Sequence, residues 1–300
     1  MGYNILERKL AKIVGAKNVK QTEPLRDHCA YGIGGNAKYF VCPPDFVSLI
    51  KVLNLAKTQK VKCKIIGNGT NLLFADEGYD GIIICTKQIS SYQLVDKSSI
   101  LVTSGTTIGA LLNICQNNGL SGLEFMAGIP GTVGGAVIMN AGAFGGEIAE
   151  RIKMVGYFEN GELKTIKAEK VPFGYRTSGG FFDGKVVAYV ELSLDPAEPS
   201  TILEKIQKVA SSRAELQPYG KCAGSVFKKC DGLSAGKLID DAGLKGLKFG
   251  GAEISTVHAN FFMNINGAKA TDVLMLVDIA SKVVKEKFDK ILELEIEIVE

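Results

Sequence analysis

The sequence predicts an α+β fold made of three mixed units. Amphipathic helical patterns alternate with short apolar runs of strand length along the chain. The run at residues 82–85 is uninterrupted, which is typical of a strand buried on both faces. The pair Asn160-Gly161, between two strand-like segments, is the strongest short hairpin signal.

The first unit, residues 1–96, begins with an amphipathic helix at residues 3–14. Asp45 follows two prolines and is placed to cap a second helix. Strands are predicted at residues 61–66 and 81–86, because both segments are apolar and end at glycine or polar loops.

The second unit, residues 97–198, combines a strand, a helix with Gly119 just past its end, a hairpin and a further strand. These elements are predicted at residues 100–103, 107–117, 154–159, 162–167 and 186–194. The segment 195–200 contains two prolines and is the best linker candidate.

The third unit, residues 199–300, alternates helices with strand-like segments. Its helices are predicted at residues 201–216, 234–242 and 271–288. Its strands are predicted at residues 224–229, 260–265 and 291–299, the last with apolar residues at every second position.

The composition is that of an ordinary globular protein, with 46% hydrophobic and 22% charged residues. A net charge of +3 and scattered basic residues give no sign of nucleic-acid binding. No apolar run is long enough to span a bilayer, and the charged N-terminus is not a signal peptide. Seven dispersed cysteines without a CxxC pair, and only two histidines, predict a cytoplasmic protein with reduced thiols and no metal site.

Glycine is enriched, at 35 residues, and it clusters where the backbone turns tightly or approaches a ligand. Residues 32–37 formally fit GxGxxA, but a strand and two prolines follow them. They are therefore predicted to be a tight turn and not a Rossmann fingerprint. The loop at 67–71 follows an apolar strand, and its successive amides can form an anion nest; a plain turn is the alternative.

Residues 127–146 form a second cluster, with seven glycines and no charged side chain. A solvated loop of this length normally carries charge, so the segment is predicted to pack against something flat. A planar cofactor with a pyrophosphate satisfies both features, and a close-packed core segment is the alternative. Two such loops in neighbouring units favour a dinucleotide shared between them.

Three positions carry candidate chemistry. Arg176 lies near aromatic residues and can hold a carboxylate through two hydrogen bonds; an exposed, structural arginine is the alternative. Ser225 lies beside glycine on an apolar strand without a GxSxG motif, so it is a candidate proton donor and not an esterase nucleophile. Alternation places Glu293, Glu295 and Glu297 on one face of the last strand, where most are expected to be solvated.

Eight stretches, in this order, resemble the UDP-N-acetylenolpyruvoylglucosamine reductase family from Tyr31 to the C-terminus. They are residues 31–37, 67–76, 122–146, 174–178, 224–228, 234–246, 250–264 and 292–296. The resemblance implies a two-part FAD-binding module of the vanillyl-alcohol-oxidase type, at 1–96 and 97–198, followed by a C-terminal α+β substrate-binding domain at 199–300.

The resemblance also implies an activity. NADPH would reduce FAD, and the enolpyruvyl ether of UDP-N-acetylglucosamine would then be reduced to UDP-N-acetylmuramate. The protein would thus be a cytoplasmic flavoprotein oxidoreductase of peptidoglycan synthesis, with a part in cell-wall biogenesis, cell shape and cell division. No nucleic acid, membrane or obligate protein partner is expected.

Individual roles follow from the same resemblance. Ser225 would donate a proton to the carbon beside the substrate carboxylate, Arg176 would bind that carboxylate, and Glu295 would act with it. The residues expected to bind FAD, non-covalently, are Tyr31, Gly67, Asn68, Gly69, Thr70, Asn71, Gly128, Pro130, Gly131, Thr132, Gly134, Gly135, Asn140, Ala141 and Gly142. The residues expected to bind the substrate are Tyr175, Lys229, Lys237, His258 and Asn260.

The sequence departs from the family pattern at two positions. Lys229 stands where the family usually has asparagine, and Glu300 ends a strand that usually ends in glycine. The short spacing from Arg176 to Ser225 resembles the shorter class of these reductases, so a more open substrate cleft is expected. Two alternatives stay open: another flavin oxidoreductase of this fold, and a nucleotide-binding protein without catalytic activity.

Overall fold

A computed structural model of the chain describes residues 5–300, and the chain forms two compact units. The first unit comprises Met1–Lys20, Tyr39–Asn68 and Ile82–Ser212. The second unit comprises Gln21–Lys38, Gly69–Gly81 and Arg213–Glu300. The three-part functional division expected from the sequence stays a prediction.

Seven α-helices are found within residues 5–300. They are α1 (Ile5–Val14), α2 (Phe46–Thr58), α3 (Ile108–Asn117), α4 (Val133–Ile138), α5 (Pro199–Leu216), α6 (Ala235–Asp241) and α7 (Ala270–Phe288). None of these helices combines the length and apolarity needed to cross a bilayer. The first two residues of the helix predicted at 3–14 lie outside the described residues.

The strands of residues 5–300 are short and are joined in several sheets. They are β1 (Val19–Pro24), β2 (Asn36–Val41), β3 (Cys63–Ile66), β4 (Leu72–Phe74), β5 (Tyr79–Cys85), β6 (Tyr92–Leu94), β7 (Ser99–Thr103), β8 (Leu120–Ser121), β9 (Gly142–Ala143), β10 (Gly146–Glu147), β11 (Ile152–Glu159), β12 (Glu162–Lys167), β13 (Val186–Ser193), β14 (Asp195–Pro196), β15 (Lys248–Phe249), β16 (Ala252–Ile254), β17 (Phe262–Asn264) and β18 (Glu297–Val299).

The largest sheet belongs to the first unit and is antiparallel, in the order β12-β11-β13-β7-β6. A four-stranded sheet has the order β1-β2-β5-β3, with β3 and β5 parallel. In the second unit, β15-β16-β17 form an antiparallel sheet and β18 pairs with β4 in parallel.

Side-chain caps and turn residues explain where several elements begin. Asp45 accepts a hydrogen bond from the Ser48 amide at 2.7 Å and caps α2, as predicted. Asn160 and Gly161 both have positive φ, as a two-residue hairpin turn requires, and they join β11 to β12. In the second unit, both carboxylate oxygens of Asp76 accept hydrogen bonds from the first amides of α7.

Three predicted elements differ from the structure. The strand predicted at 224–229 is not regular, since Ser225 and Phe227 make only isolated bridges. The linker candidate at 195–200 is instead ordered: Asp195 and Pro196 pair with β8, and α5 begins at Pro199. Only β18 is a regular strand within the segment predicted at 291–299. Leu294 makes an isolated bridge, and no continuous ladder joins it to β18. Alternating apolar residues specified the faces correctly but not the extent of the ladder.

Buried apolar side chains form three cores. In the first unit, one core packs α3 and α4 against the five-stranded sheet, and another packs α1 and α2 against β2 and β5. The run at residues 82–84 is fully buried, as its uninterrupted pattern predicted. In the second unit, α6 and α7 cover β16 and the strand-like segment around Phe227. These cores fix the loops that carry the candidate site.

Candidate active site

The first glycine loop follows β3, and its beginning belongs to the first unit. Gly67 lies so close to Thr132 that a Cβ at position 67 would be 2.1 Å from the Thr132 Oγ1, so only glycine fits there. The Asn68 side chain donates to the Pro130 carbonyl at 2.5 Å. The first unit thus brings together two segments that were predicted separately to bind FAD.

The backbone amides of this loop find no acceptor among the residues that the structure describes. Within residues 5–300, the N–H groups of residues 67–71 donate no hydrogen bond. Successive amides of this kind are the donors that an anion nest requires. In the second unit, Gly69 has φ of +62°, and a Cβ there would be 2.2 Å from the His28 carbonyl. The loop therefore has the donors and the close packing that suit a pyrophosphate.

The second glycine segment runs through α4 in the first unit. A Cβ at Gly134 would be 2.8 Å from the Cβ of Ser104, and the Gly134 amide donates to the Ser104 carbonyl at 2.8 Å. The Ser104 hydroxyl is buried and has no hydrogen-bond partner among residues 5–300. A buried hydroxyl without a partner is destabilising unless a ligand or water satisfies it. Ser104, which the sequence did not indicate, is thus suited to contact a bound cofactor.

The other predicted FAD-binding residues of this segment flank α4 or lie in it. Gly128 has positive φ, and the Gly131 carbonyl accepts a hydrogen bond from Ile108. Gly135 is an exposed position of α4, and the Ala141 amide closes the helix on Ala136. Their proposed contacts with FAD stay predictions.

Tyr31 lies in the core of the second unit and is 0% exposed. Its hydroxyl has no hydrogen-bond partner within residues 5–300, and burial raises the pKa of the phenol. Asn264 donates to the carbonyls of Tyr31 and Gly32 and holds this turn in place. The phenol is therefore a neutral, buried donor.

Arg176 occupies the tip of a tight turn in the first unit. Gly174 and Thr177 exchange backbone hydrogen bonds at 3.0 and 3.2 Å, and Arg176 has φ of +55°. Its guanidinium donates to the Gly142 carbonyl at 2.6 Å and lies 4.9 Å from the centre of the Tyr175 ring. Two predicted site residues, Gly142 and Tyr175, are therefore in contact with the predicted carboxylate-binding arginine.

Ser225 and Glu295 lie on neighbouring extended segments of the second unit. Ser225 bridges Phe261, and the Glu295 amide donates to the Val226 carbonyl at 2.8 Å. Asn71 donates through its side chain to the Glu295 carbonyl at 2.8 Å. The structure thus brings the predicted proton donor and the predicted glutamate onto adjoining chains.

Asn260 and His258 support the Ser225 segment. The buried side-chain amide of Asn260 donates to the backbone carbonyl of Phe227 at 2.8 Å, and its oxygen accepts from the backbone N–H of Phe227 at 3.0 Å. His258 Nδ1 accepts a hydrogen bond from the backbone N–H of Asn260 at 3.2 Å, and burial lowers the pKa of His258. Both residues were predicted to bind substrate, but the Asn260 amide group is occupied by Phe227.

The remaining predicted substrate-binding side chains are on the surface. Tyr175 is 38% exposed and Lys229 is also exposed. Lys237 forms an ion pair with Asp241 one turn along α6, and this pair raises the pKa of Lys237. A negatively charged substrate would have to compete with Asp241 for Lys237.

Sequence reasoning missed Glu147. Its carboxylate accepts a hydrogen bond from the Asn140 side chain at 2.7 Å. The available signal was its position, since Glu147 is the first charged residue after the uncharged stretch 127–146.

Comparison with known proteins supports two parts of the chain separately. Residues 37–161 match the family described as an FAD binding domain. Residues 217–299 match the family described as UDP-N-acetylenolpyruvoylglucosamine reductase, C-terminal domain.

Similar whole chains and structures extend the match. A UDP-N-acetylenolpyruvoylglucosamine reductase of Geobacillus kaustophilus is 39% identical, covering 97% of this chain and 96% of its own. The crystal structure of such a reductase from Thermus caldophilus has a TM-score of 0.80 and 37% identity, over 92% of this chain and 97% of that chain. The grass-pollen protein Phl p 4, a glucose dehydrogenase, shares only the fold, with a TM-score of 0.50 and 16% identity over 65% of this chain and 45% of its own.

Proposed function

The chain belongs to the UDP-N-acetylenolpyruvoylglucosamine reductase family, and on this premise we propose that it reduces the enolpyruvyl ether of UDP-N-acetylglucosamine with electrons from NADPH. It is an FAD-dependent oxidoreductase, as the FAD binding domain at residues 37–161 indicates. These matches confirm the family resemblance, the fold class and the FAD cofactor predicted from the sequence.

FAD would be held by the loop at 67–71 and the segment at 128–142. The unused loop amides suit its pyrophosphate, and the buried Ser104 hydroxyl suits a polar atom of the cofactor. Neither histidine lies in these segments, so we expect the binding to be non-covalent. When bound, FAD supplies the hydride that reaches the outer carbon of the enolpyruvyl group.

Ser225 is proposed to supply the proton. Hydride addition leaves negative charge on the carbon beside the substrate carboxylate, and the Ser225 Oγ donates its proton to that carbon. Within residues 5–300, no protein group accepts a hydrogen bond from this hydroxyl, so its proton is not committed elsewhere. The single observation that carries the proposal is the pairing of the Ser225 segment with the Glu295 segment.

Arg176 is proposed to bind the substrate carboxylate, into which the negative charge spreads. A guanidinium fixed before the reaction stabilises that charge without reorganising at the moment of transfer. Its hydrogen bond to the Gly142 carbonyl holds the guanidinium in place. Glu295 acts together with Arg176, either as a protonated acid or by orienting the guanidinium.

The test separates the two half-reactions in an anaerobic stopped-flow experiment. The FAD-loaded protein is first bleached with NADPH, and the enolpyruvyl UDP-sugar is then added. Ser225→Ala should leave flavin reduction unchanged and slow flavin reoxidation by about 100-fold or more, because the proton donor is lost. Ser211→Ala, on the exposed face of α5, is the matched control and should change neither rate.

Two results would contradict the proposal. If Ser225→Ala reoxidises as fast as the unaltered protein, Ser225 is not the proton donor. If the unaltered protein bleaches with NADPH but never recovers with this substrate, it is a flavin oxidoreductase with another substrate. Acid precipitation tests the cofactor linkage, because non-covalent FAD leaves its yellow colour in the supernatant.

A further inference from the structure

The Arg176 turn has an unfavourable backbone conformation. L-residues other than asparagine and aspartate rarely adopt the left-handed region, yet Arg176 has φ of +55°. The backbone bonds between Gly174 and Thr177 close the turn, and the Gly174 carbonyl also accepts a bond from a neighbouring side chain. A backbone in this region persists only where surrounding contacts support it.

The Asn140 side chain provides one such contact. It is 1% exposed, and its side-chain nitrogen donates both to the Gly174 carbonyl at 3.0 Å and to the Glu147 carboxylate at 2.7 Å. Its side-chain oxygen accepts from the Ala149 amide at 3.1 Å. Both donors of the amide group are thus used within the protein, and its oxygen has a protein donor.

The same segment also holds the guanidinium. Arg176 donates to the carbonyl of Gly142, two residues after Asn140. Gly142 lies opposite Glu147 in the short β9–β10 pair, so the carboxylate that anchors Asn140 is part of the same hairpin. One network therefore fixes both ends of Arg176: the turn through Gly174 and the guanidinium through Gly142.

We propose that Asn140, anchored by Glu147, is a positioning residue that sets the place of Arg176. This inference rests on the proposed role of Arg176 in binding the substrate carboxylate. It differs from the sequence-based expectation that Asn140 binds FAD, because the Asn140 amide group is occupied by protein partners.

A double-mutant cycle tests the coupling. Arg176→Ala, Asn140→Ala and the double variant are compared by the rate of flavin reoxidation in a single turnover. Asn140→Ala should slow reoxidation by about 10- to 100-fold, because small misplacements of a catalytic group cost up to that much. The double variant should be no slower than Arg176→Ala alone.

A charge exchange provides a second test that does not depend on truncation. Asn140→Asp places a carboxylate against that of Glu147, so reoxidation should slow. Adding Glu147→Gln relieves this repulsion, but the carboxylate at position 140 still cannot donate to the Gly174 carbonyl, so reoxidation should stay slow. Asn118→Asp, an exposed asparagine whose amide also donates to a carbonyl, is the control and should have no effect.

Each outcome has one meaning. Multiplying effects in the double variant, or full recovery of the rate in the exchanged pair, would overturn the positioning role. Release of FAD by Asn140 variants, with an unchanged reoxidation rate per bound flavin, would overturn it in favour of a cofactor ligand. If Arg176→Ala itself reoxidises normally, the proposed function of Arg176 has failed, which is a distinct result.

Discussion

Arg176 and Ser225 are held in opposite ways, although both are proposed to act on the same substrate. Arg176 sits in the first unit at the tip of a turn with left-handed backbone, and the buried Asn140 side chain bonds that turn. Ser225 sits in the second unit in an extended segment with backbone partners on both sides. The turn is supported from a neighbouring segment by side-chain hydrogen bonds, whereas the extended segment is supported by backbone pairing.

The largest expected effect uses alanine and glycine at both positions. All four variants should slow flavin reoxidation by about 100-fold or more, because each removes the reacting side chain. The difference in stability between the glycine and alanine variants should have opposite signs at the two positions. At 176, glycine should be more stable than alanine by about 1 kcal/mol, since it accepts positive φ. At 225, glycine should be less stable than alanine by about 0.5–1 kcal/mol, because the segment is extended.

Denaturant unfolding of the FAD-loaded protein measures this difference. The comparison between alanine and glycine at one position cancels the loss of the original side chain. If the order is the same at both positions, the two regions are not held in the opposite ways described above.

Asn260→Ala is the next largest effect and should separate stability from activity. Removing the side chain leaves the buried amide and carbonyl of Phe227 without their partners, at a cost of about 2–3 kcal/mol. The Ser225 segment keeps its bonds to Phe261 and Glu295. Reoxidation per folded molecule should therefore stay within about threefold.

Unfolding and stopped-flow measurements on the same preparation check this split. Asn266→Ala, at an exposed position after β17, is the control and should change neither quantity. A large fall in reoxidation with unchanged stability would instead favour the sequence-based expectation that Asn260 contacts the substrate.

The elements of the fold were largely predictable because their signals are local. Asp45 and Ser48 are three residues apart, and Asn160-Gly161 specifies its own hairpin. The segment 195–200 was misjudged because prolines mark a turn but do not reveal that Asp195 pairs with a distant strand.

The support of the site was not predictable for a related reason. Asn140 and Gly174 are 34 residues apart, and Asn260 and Phe227 are 33 apart. Such bonds depend on how the cores pack, and no spacing in the sequence predicts them. Arg176 and Ser225 were found because their own neighbours suggested chemistry, whereas the residues that hold them carry no local signal.

The smallest expected effect is a pH dependence confined to the second unit, which contains both histidines of the chain. Burial lowers the pKa of His258 from its ordinary value of 6.5, and the positive charge of Lys245 acts in the same direction. As the pH falls through about 6.5, the unfolded chain binds the proton first, so the free energy of unfolding decreases. Protonation of Nδ1 would also break its bond from the Asn260 amide.

Thermal unfolding at pH 7.5 and 5.5 tests this dependence in the unaltered protein and in His258→Gln, which cannot titrate at this position. The unaltered protein should lose more stability between the two pH values than the variant, by roughly 1–3 °C in Tm. Comparing the two losses, and not the Tm values themselves, removes the cost of the substitution. Equal losses would mean that His258 does not link the support of Ser225 to pH. A smaller loss in the unaltered protein would mean that its charged form is the one favoured in the fold.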